Sequence, residues 1–299
     1  MLDYDIKPFT VTEPFKLDKF YTMFSSTSES GSRFGGESHD FWECTYVRDG
    51  NLCNCVDGKV YNMEKGDLIF YKPMEFHQHY VEDGKKAETF FFSFSLEKCP
   101  EDFARDAVYK LNSKQRKIME KIIGFSLEAV SNVTFTEEEI AHQKSEYINY
   151  EFIKPLLAFG KNITDMATVT NYIEELFLDL YNTKNVVEEA DSFLAGIYKK
   201  AVFYMNNHIS DKVTIADIAK YCCISETSLK KVFYQIANTG VHKYFVQLKI
   251  TQAIILLKNK VSAYEISQQL GFASQAYFSA AFKRETGLTP REYLQKNQN

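Results

Sequence analysis

In the stretches GGESHDFWECTYVRDG and GDLIFYKPMEFHQH, the side chains able to do chemistry are Glu37, His39, Glu43, His77 and His79. An extended chain alternates its side chains, so His39, Phe41, Glu43 and Thr45 share one strand face and Trp42, Cys44 and Tyr46 the other. His77 and His79 likewise share a face. Imidazole nitrogens and carboxylate oxygens suit iron or manganese, so His39, Glu43 and His77, with Glu37 beside them, can form a metal site. The same groups can orient a small polar ligand in an aromatic-lined cavity, or be a satisfied polar core. The polar ligand is the reading adopted; no metal and no cofactor is assigned. Cys53 and Cys55 in CNC offer thiols to a soft metal or to oxidation, but two cysteines beside a turn read as inert.

A second set of side chains points to nucleic acid. The segments ISETSLKKVFYQIANTGVHKYF and FASQAYFSAAFKRETGLTPREYL share a Ser helix cap, apolar residues four apart, Thr-Gly, and a later aromatic or apolar pair, which reads as an internal duplication. In the first copy Thr227, Lys230 and Lys231 project outward; in the second, Ser274, Gln275 and Ser279 do. Glutamine can bond adenine through two atoms and lysine can donate to guanine, so these are candidate base readers. Lys283 and Arg284, a turn later, are placed for phosphates. Any one of these residues also fits a solvated helix face; two matched units in one segment favour double-stranded DNA.

Those side chains need elements to hold them. Each repeat opens with a helix whose inward face is Ile215, Ile218 and Ala219, or Ile266, Ser267 and Leu270. A tight turn follows, Cys223-Ile224 or Gly271-Phe272, and then an N-cap serine, Ser225 or Ser274. Gly240 and Gly287 are read as the residues just past the end of each second helix, with the later aromatic residues of those helices inside. Thr289 to Glu292 reads as a capping box with Pro290 at the first helical position. The two helix-turn-helix motifs are placed at about 214–236 and 262–286.

Upstream, the first hundred residues read as strands, with turns at Asp49-Gly50, Asp57-Gly58, Lys65-Gly66 and Asp83-Gly84. VTEPFKLDKFYTMF, with alternating aromatics, reads as an arm ahead of these strands that covers the ligand cavity. From Ser113 to Asn182 the spacing turns helical, and Met166, Val169, Ile173, Leu176 and Leu180 follow at steps of 3 and 4, like the a and d positions of a coiled coil. Two readings stay open for that stripe: the seam of a homodimer, or packing on the chain's own sheet. The boundaries expected are a sensor at 1–105, a helical dimerisation and connecting segment at 106–185, a linker at 186–192 and an all-helical domain at 193–299.

Charge divides at the same place. Of 35 Lys+Arg and 40 Asp+Glu, residues 190–299 hold 14 and 7 and residues 1–189 the remaining 21 and 33, so a +7 tail follows a −12 body. That surplus suits a polyanionic partner. Six irregularly spaced cysteines read as reduced thiols, and MLDYDIKPFT lacks a signal-peptide pattern. No apolar run reaches the roughly 18 residues of a membrane span. A cytoplasmic protein without a membrane partner is expected.

Residues 197–297 resemble the C-terminal DNA-binding domain of AraC/XylS-type transcriptional regulators through TIADIAKYCCISETSLKKVF, YFVQLKITQAIILLKN and EISQQLGFASQAYFSAAFKRETGLTPREYL. HDFWECTYVRDG and GDLIFYKPMEFHQH resemble the cupin-like sensor half of the same regulators, with Glu37 standing where the first His of that pattern would be. The resemblance implies an α+β chain: an N-terminal cupin-like antiparallel β-barrel with His39 and Glu43 facing inward, a helical dimerisation segment, and an all-α C-terminal domain whose two helix-turn-helix motifs are joined by a long helix. It implies recognition helices in successive major grooves about 34 Å apart. It also implies a non-enzymatic activator, a homodimer that takes a small polar effector such as a sugar, with RNA polymerase as a further partner. Two departures stand out: Lys249 where the family usually has Arg, and Ala280 where Arg is also usual. The second removes a base or phosphate contact and shifts affinity toward the first unit. The rival readings are a ligand-independent regulator whose barrel only dimerises, and a metal-dependent cupin enzyme fused to a DNA-binding tail.

Overall fold

The computed structural model describes residues 12–104, 108–136, 150–183 and 192–296. Seven antiparallel strands come first: β1 (Lys16–Ser28), β2 (Trp42–Val56), β3 (Lys59–Glu64), β4 (Asp67–Tyr71), β5 (His77–Tyr80), β6 (Ala87–Lys98) and β7 (Val108–Lys110). Their order is β1-β6-β2-β4-β7, with β3 and β5 both paired to β2. β2 serves two layers, because Glu43–Tyr46 lies between β4 and β6 while Cys53–Val56 lies between β3 and β5.

The strand passes between those layers at Asp49-Gly50. This pair is not the hairpin turn its sequence suggests but a bulge inside β2, where register against β6 shifts between Val47 and Asp49. Gly50 has φ +80°, and a Cβ there would lie 2.0 Å from the Lys86 carbonyl oxygen, so only glycine fits. Asp57-Gly58, Lys65-Gly66 and Asp83-Gly84 do form turns. The expected covering arm is instead β1 from Lys16 onward, an edge strand paired along β6.

Cys44, Tyr46, Phe90, Phe92 and Phe94 share an apolar cluster with α1 (Ser113–Ser131), α2 (Tyr150–Lys161) and α3 (Ile163–Tyr181). The stripe read as a dimer seam is spent there. Val169, Ile173, Leu176 and Leu180 are buried and Met166 packs at the margin, in one cluster with Phe70, Phe92 and Phe94. Each such side chain gains about 1.5–3 kcal/mol by leaving water, and intramolecular burial has already taken that gain. The seam assigned to Met166, Val169, Ile173, Leu176 and Leu180 is corrected accordingly: two heptads of a/d spacing also describe any helix lying on a sheet.

The rest is helical: α4 (Phe193–Asn207), α5 (Ile215–Tyr221), α6 (Glu226–Ala237), α7 (Val241–Lys258), α8 (Ala263–Gln269), α9 (Gln275–Thr286) and α10 (Pro290–Lys296). Of the expected linker, Ser192 is the N-cap of α4 and residues 186–191 lie outside the described residues, as does the expected boundary at 105–106. The halves touch closely. Cys55, Val60 and Phe76 of the barrel share one buried cluster with Tyr198, Val202, Phe233 and Tyr244 of the helices, and Gln78 Nε2 donates to the Tyr198 hydroxyl at 2.7 Å.

Candidate functional site

α5 with α6, and α8 with α9, are the same object built twice. Thr214 and Asp217 close a capping box on α5, as Ser262 and Glu265 do on α8. In both turns a residue of positive φ follows, Cys223 at 57° and Gly271 at 61°. The next backbone N–H then reaches back to the first helix, Ile224 to the Ala219 carbonyl at 3.0 Å and Phe272 to that of Ser267 at 2.9 Å. The second helices open on Ser225 and Ser274, whose hydroxyls accept from Ser228 N and Tyr277 N, each at 3.1 Å. Leu229 and Phe233, like Phe278 and Phe282, are fully buried and pin those helices from behind. One expected symmetry fails at the far end. Gly287 is the left-handed C-cap of α9, but after α6 that role falls to Asn238 at φ 46°, while Gly240 has φ −75° and caps the start of α7. Asparagine tolerates the left-handed region, so glycine is not needed there.

Thr227, Lys230, Lys231, Ser274, Gln275, Lys283 and Arg284 are exposed on these second helices, whereas Ser279 is half-buried. Lys230 lies 3.8 Å from Glu226, one turn earlier, and Arg284 Nε donates to Glu285 at 2.9 Å. Sequence reasoning missed Tyr277 and Tyr234, 40% and 66% exposed. Neither is singled out by the sequence reading, yet both stand beside the polar readers. A helical wheel carries the signal: each lies one residue before a buried phenylalanine or one after it, off the inward stripe.

In the barrel, Glu37, His39, Glu43 and His77 converge, one ligand atom of each lying within 4.8 Å of the others. Glu43 comes from the inward face of β2, His77 opens β5, and Glu37 is held beside His77 by two backbone hydrogen bonds of 3.0 Å. His79 does not join them; its ring stacks on Phe34 at 5.0 Å. Each clustered imidazole is oriented from behind. His39 Nδ1 donates to the Phe41 carbonyl at 2.9 Å and His77 Nδ1 to that of Glu75 at 3.1 Å. Their rings stack on Phe41 and Tyr71 at 3.9 and 4.0 Å. With Nδ1 protonated, the neutral His77 turns its Nε2 lone pair inward, without a hydrogen-bond partner among the described residues, while the His39 Nε2 faces a Glu43 carboxylate oxygen at 3.5 Å.

The electrostatics favour positive charge here. Burial and the neighbouring Glu43 push the Glu37 carboxyl up to about 7; half of that side chain remains exposed, which moderates the rise. Burial opposes charge on His39, but Glu43 and Glu37 outweigh it and raise the imidazole above its ordinary range. Burial holds His77 well below its ordinary range, so it stays neutral. A divalent metal fits this donor set. Two ligand atoms about 2.1 Å from one ion stand roughly 3.4–4.2 Å apart, and Nε2–carboxylate separations of 3.5, 3.8 and 3.9 Å fall in that range. The CNC thiols are different. Both cysteines are buried, and burial raises the Cys53 thiol to about 11 and the Cys55 thiol further, which leaves them unreactive.

Among the described residues no helix is long and apolar enough to cross a membrane. A helix-turn-helix domain model matches residues 218–296 and a cupin domain model residues 26–93. The chain is similar to the HTH-type transcriptional regulator ArgR of Pseudomonas aeruginosa, 32% identical over 31% of this chain and 29% of that protein. It is also similar to the HTH-type transcriptional activator RhaR of Cronobacter sakazakii, 23% identical over 88% of this chain and 87% of that one. Three matched relatives are spanned over only 29%, 41% and 59% of their own length. Among solved structures, ToxT of Vibrio cholerae aligns over 95% of this chain and 98% of its own at 14% identity, with a TM-score of 0.38.

Proposed function

For a chain of the AraC/XylS regulator type, with a cupin domain in its N-terminal half and a double helix-turn-helix in its C-terminal half, we propose that it binds double-stranded DNA sequence-specifically and regulates transcription. The observation that carries this is the duplication: two second helices, capped alike and pinned alike, leave polar first turns open to a groove edge. α6 and α9 enter successive major grooves. Thr227, Lys230, Lys231, Ser274 and Gln275 meet base edges, while Lys283 and Arg284 meet phosphates. Ser279, half-buried, contributes at the margin, and Tyr277 and Tyr234 offer ring edges beside them. Activation is the sign assigned, since a relative covering 88% of this chain is named an activator.

The barrel is the sensor, and its effector site is the cluster of Glu37, His39, Glu43 and His77. Two carboxyl groups and the inward lone pair of His77 gather acceptors around one point, so the effector is small, polar and rich in positive charge. That character favours a cation over a sugar, whose hydroxyls need donors as well as acceptors. Selection of the full chain on random duplexes tests the reading. A bipartite motif supports it; recovery of no motif at low salt sinks it.

A further inference from the structure

α6 and α9 align residue for residue, since Ser225 and Ser274 cap them and Leu229 and Phe233 answer to Phe278 and Phe282. At 3.6 residues per turn, a position two residues from a buried one points about 160° away from it. Thr227 and Lys231 therefore stand opposite the buried Leu229, and Tyr234 opposite the buried Val232. In the second unit those places belong to Ala276 and Ala280, opposite Phe278, and to Lys283, opposite Ala281. All six outward residues are exposed. The outermost ridge of α6 thus carries a hydroxyl, an ammonium and a phenol. That of α9 carries two bare methyl groups before its lysine. Tyr277 and the half-buried Ser279 lie to either side of the methyl pair rather than on it.

We infer that α9 recognises its half of a DNA site through the 5-methyl groups of thymine, which Ala276 and Ala280 cover, so that the two halves of the site are read by different chemistries. The inference rests on the DNA-binding function proposed above. The major groove displays hydrogen-bonding nitrogens and oxygens at every base pair, and one apolar substituent, the thymine methyl. A ridge without donor or acceptor that covers guanine, cytosine or adenine strips water from polar atoms and returns no hydrogen bond, which is costly. Against a thymine methyl the same ridge removes two apolar surfaces from water at once. Side-chain length acts in the same direction. An alanine methyl ends close to the helix backbone, so α9 can lie deep in the groove. Lys231, at the matching place in α6, holds that helix further out and brings an ammonium to guanine acceptors.

The test uses the full chain and the duplex it prefers in selection from random sequences. Each thymine of that duplex is replaced in turn by deoxyuridine, which keeps every hydrogen-bonding atom and removes only the methyl, and affinity is measured by fluorescence anisotropy against the parent duplex. Wild type should lose about fourfold for each thymine beneath Ala276 or Ala280, the worth of one buried methyl group, and those thymines should cluster in one half of the site. In Ala276→Gly and in Ala280→Gly the thymine-to-uracil ratio should shrink toward one at the thymine beneath the altered residue. Both duplexes are compared within one variant, so any cost of glycine to the helix cancels. Lys231→Ala should weaken both duplexes and leave the ratio unchanged. A preferred duplex in which no thymine loses affinity on replacement overturns the inference while leaving DNA recognition intact. A methyl effect that persists undiminished in both glycine variants overturns it as well. If selection returns no preferred duplex, the proposed function fails and the inference falls with it.

Discussion

Lys249 and Leu270 are joined by a hydrogen bond of 2.7 Å, from the Lys249 ammonium in the middle of α7 to the carbonyl that ends α8. The same ammonium donates to the Asp211 carbonyl at 3.1 Å, just ahead of α5, so one side chain ties both helix-turn-helix units to the helix between them. Phe245 and Phe272 flank it at 4.7 and 5.8 Å. Beside it the backbones nearly touch: a Cβ on Gly271 would lie 2.5 Å from the Ser210 carbonyl oxygen.

Replacing Lys249 by Met keeps the aliphatic stem and strands two carbonyls, at a cost of about 1–3 kcal/mol for each group left unpaired. Lys249→Arg supplies donors of longer reach and should recover most of that loss. Gly271→Ala should destabilise by clash and by its positive φ together. Urea unfolding of the full chain measures all three; a Met variant as stable as wild type would remove the clamp assigned to Lys249.

At the reading helices, Gln275→Ala should cost roughly 1–3 kcal/mol against the preferred site and relax preference at one base pair, whereas Lys283→Ala should weaken every duplex alike and lower the salt slope by about one. Selected motifs that are identical for wild type and the Gln275 variant would take Gln275 off the groove.

Acid should loosen the capping boxes. Hydrogen bonds from Thr214 to Asp217, from Ser262 to Glu265 and from Thr289 to Glu292 hold all three carboxylates below their ordinary range. A folded-state value below the unfolded one contributes stability above the unfolded pKa and loses it as pH falls through the folded one. The thermal midpoint of wild type should therefore exceed that of the Asp217→Asn, Glu265→Gln, Glu292→Gln triple variant at pH 7, with the gap closing below about pH 4. All three groups are surface-exposed, so added salt should narrow the gap at pH 7. A gap that persists undiminished at pH 3 would assign it to something other than these charges.

Leu176→Ala should cost about 2–5 kcal/mol, the range for a large side chain removed from a packed interior. It should do so without altering the sedimentation coefficient of whatever species the wild type forms. Loss of an oligomer at unchanged stability would restore the seam.

Much of this was legible because it is local. Ser225 and Ser274 announce helix starts through the hydroxyl that the next backbone N–H requires, and the alternation of His39, Glu43 and Thr45 follows from strand geometry alone. What escaped is what depends on distant neighbours. Gly50 reads as a turn until the Lys86 carbonyl is known to stand against it. The stripe from Met166 to Leu180 has the same spacing whether it meets a partner or Phe92. Asn238 took the left-handed cap that Gly240 was read to hold, because both residues can follow a helix. Glu37 was legible as a substitution, but not as a residue whose neighbours bind the other half of the molecule.

The buried cluster that Cys55, Val60 and Phe76 share with Tyr198, Phe233 and Tyr244 makes the two halves depend on one another. Severing the strands from the helices would leave each piece with a sticky apolar scar, so neither half should be as soluble alone as the two are joined.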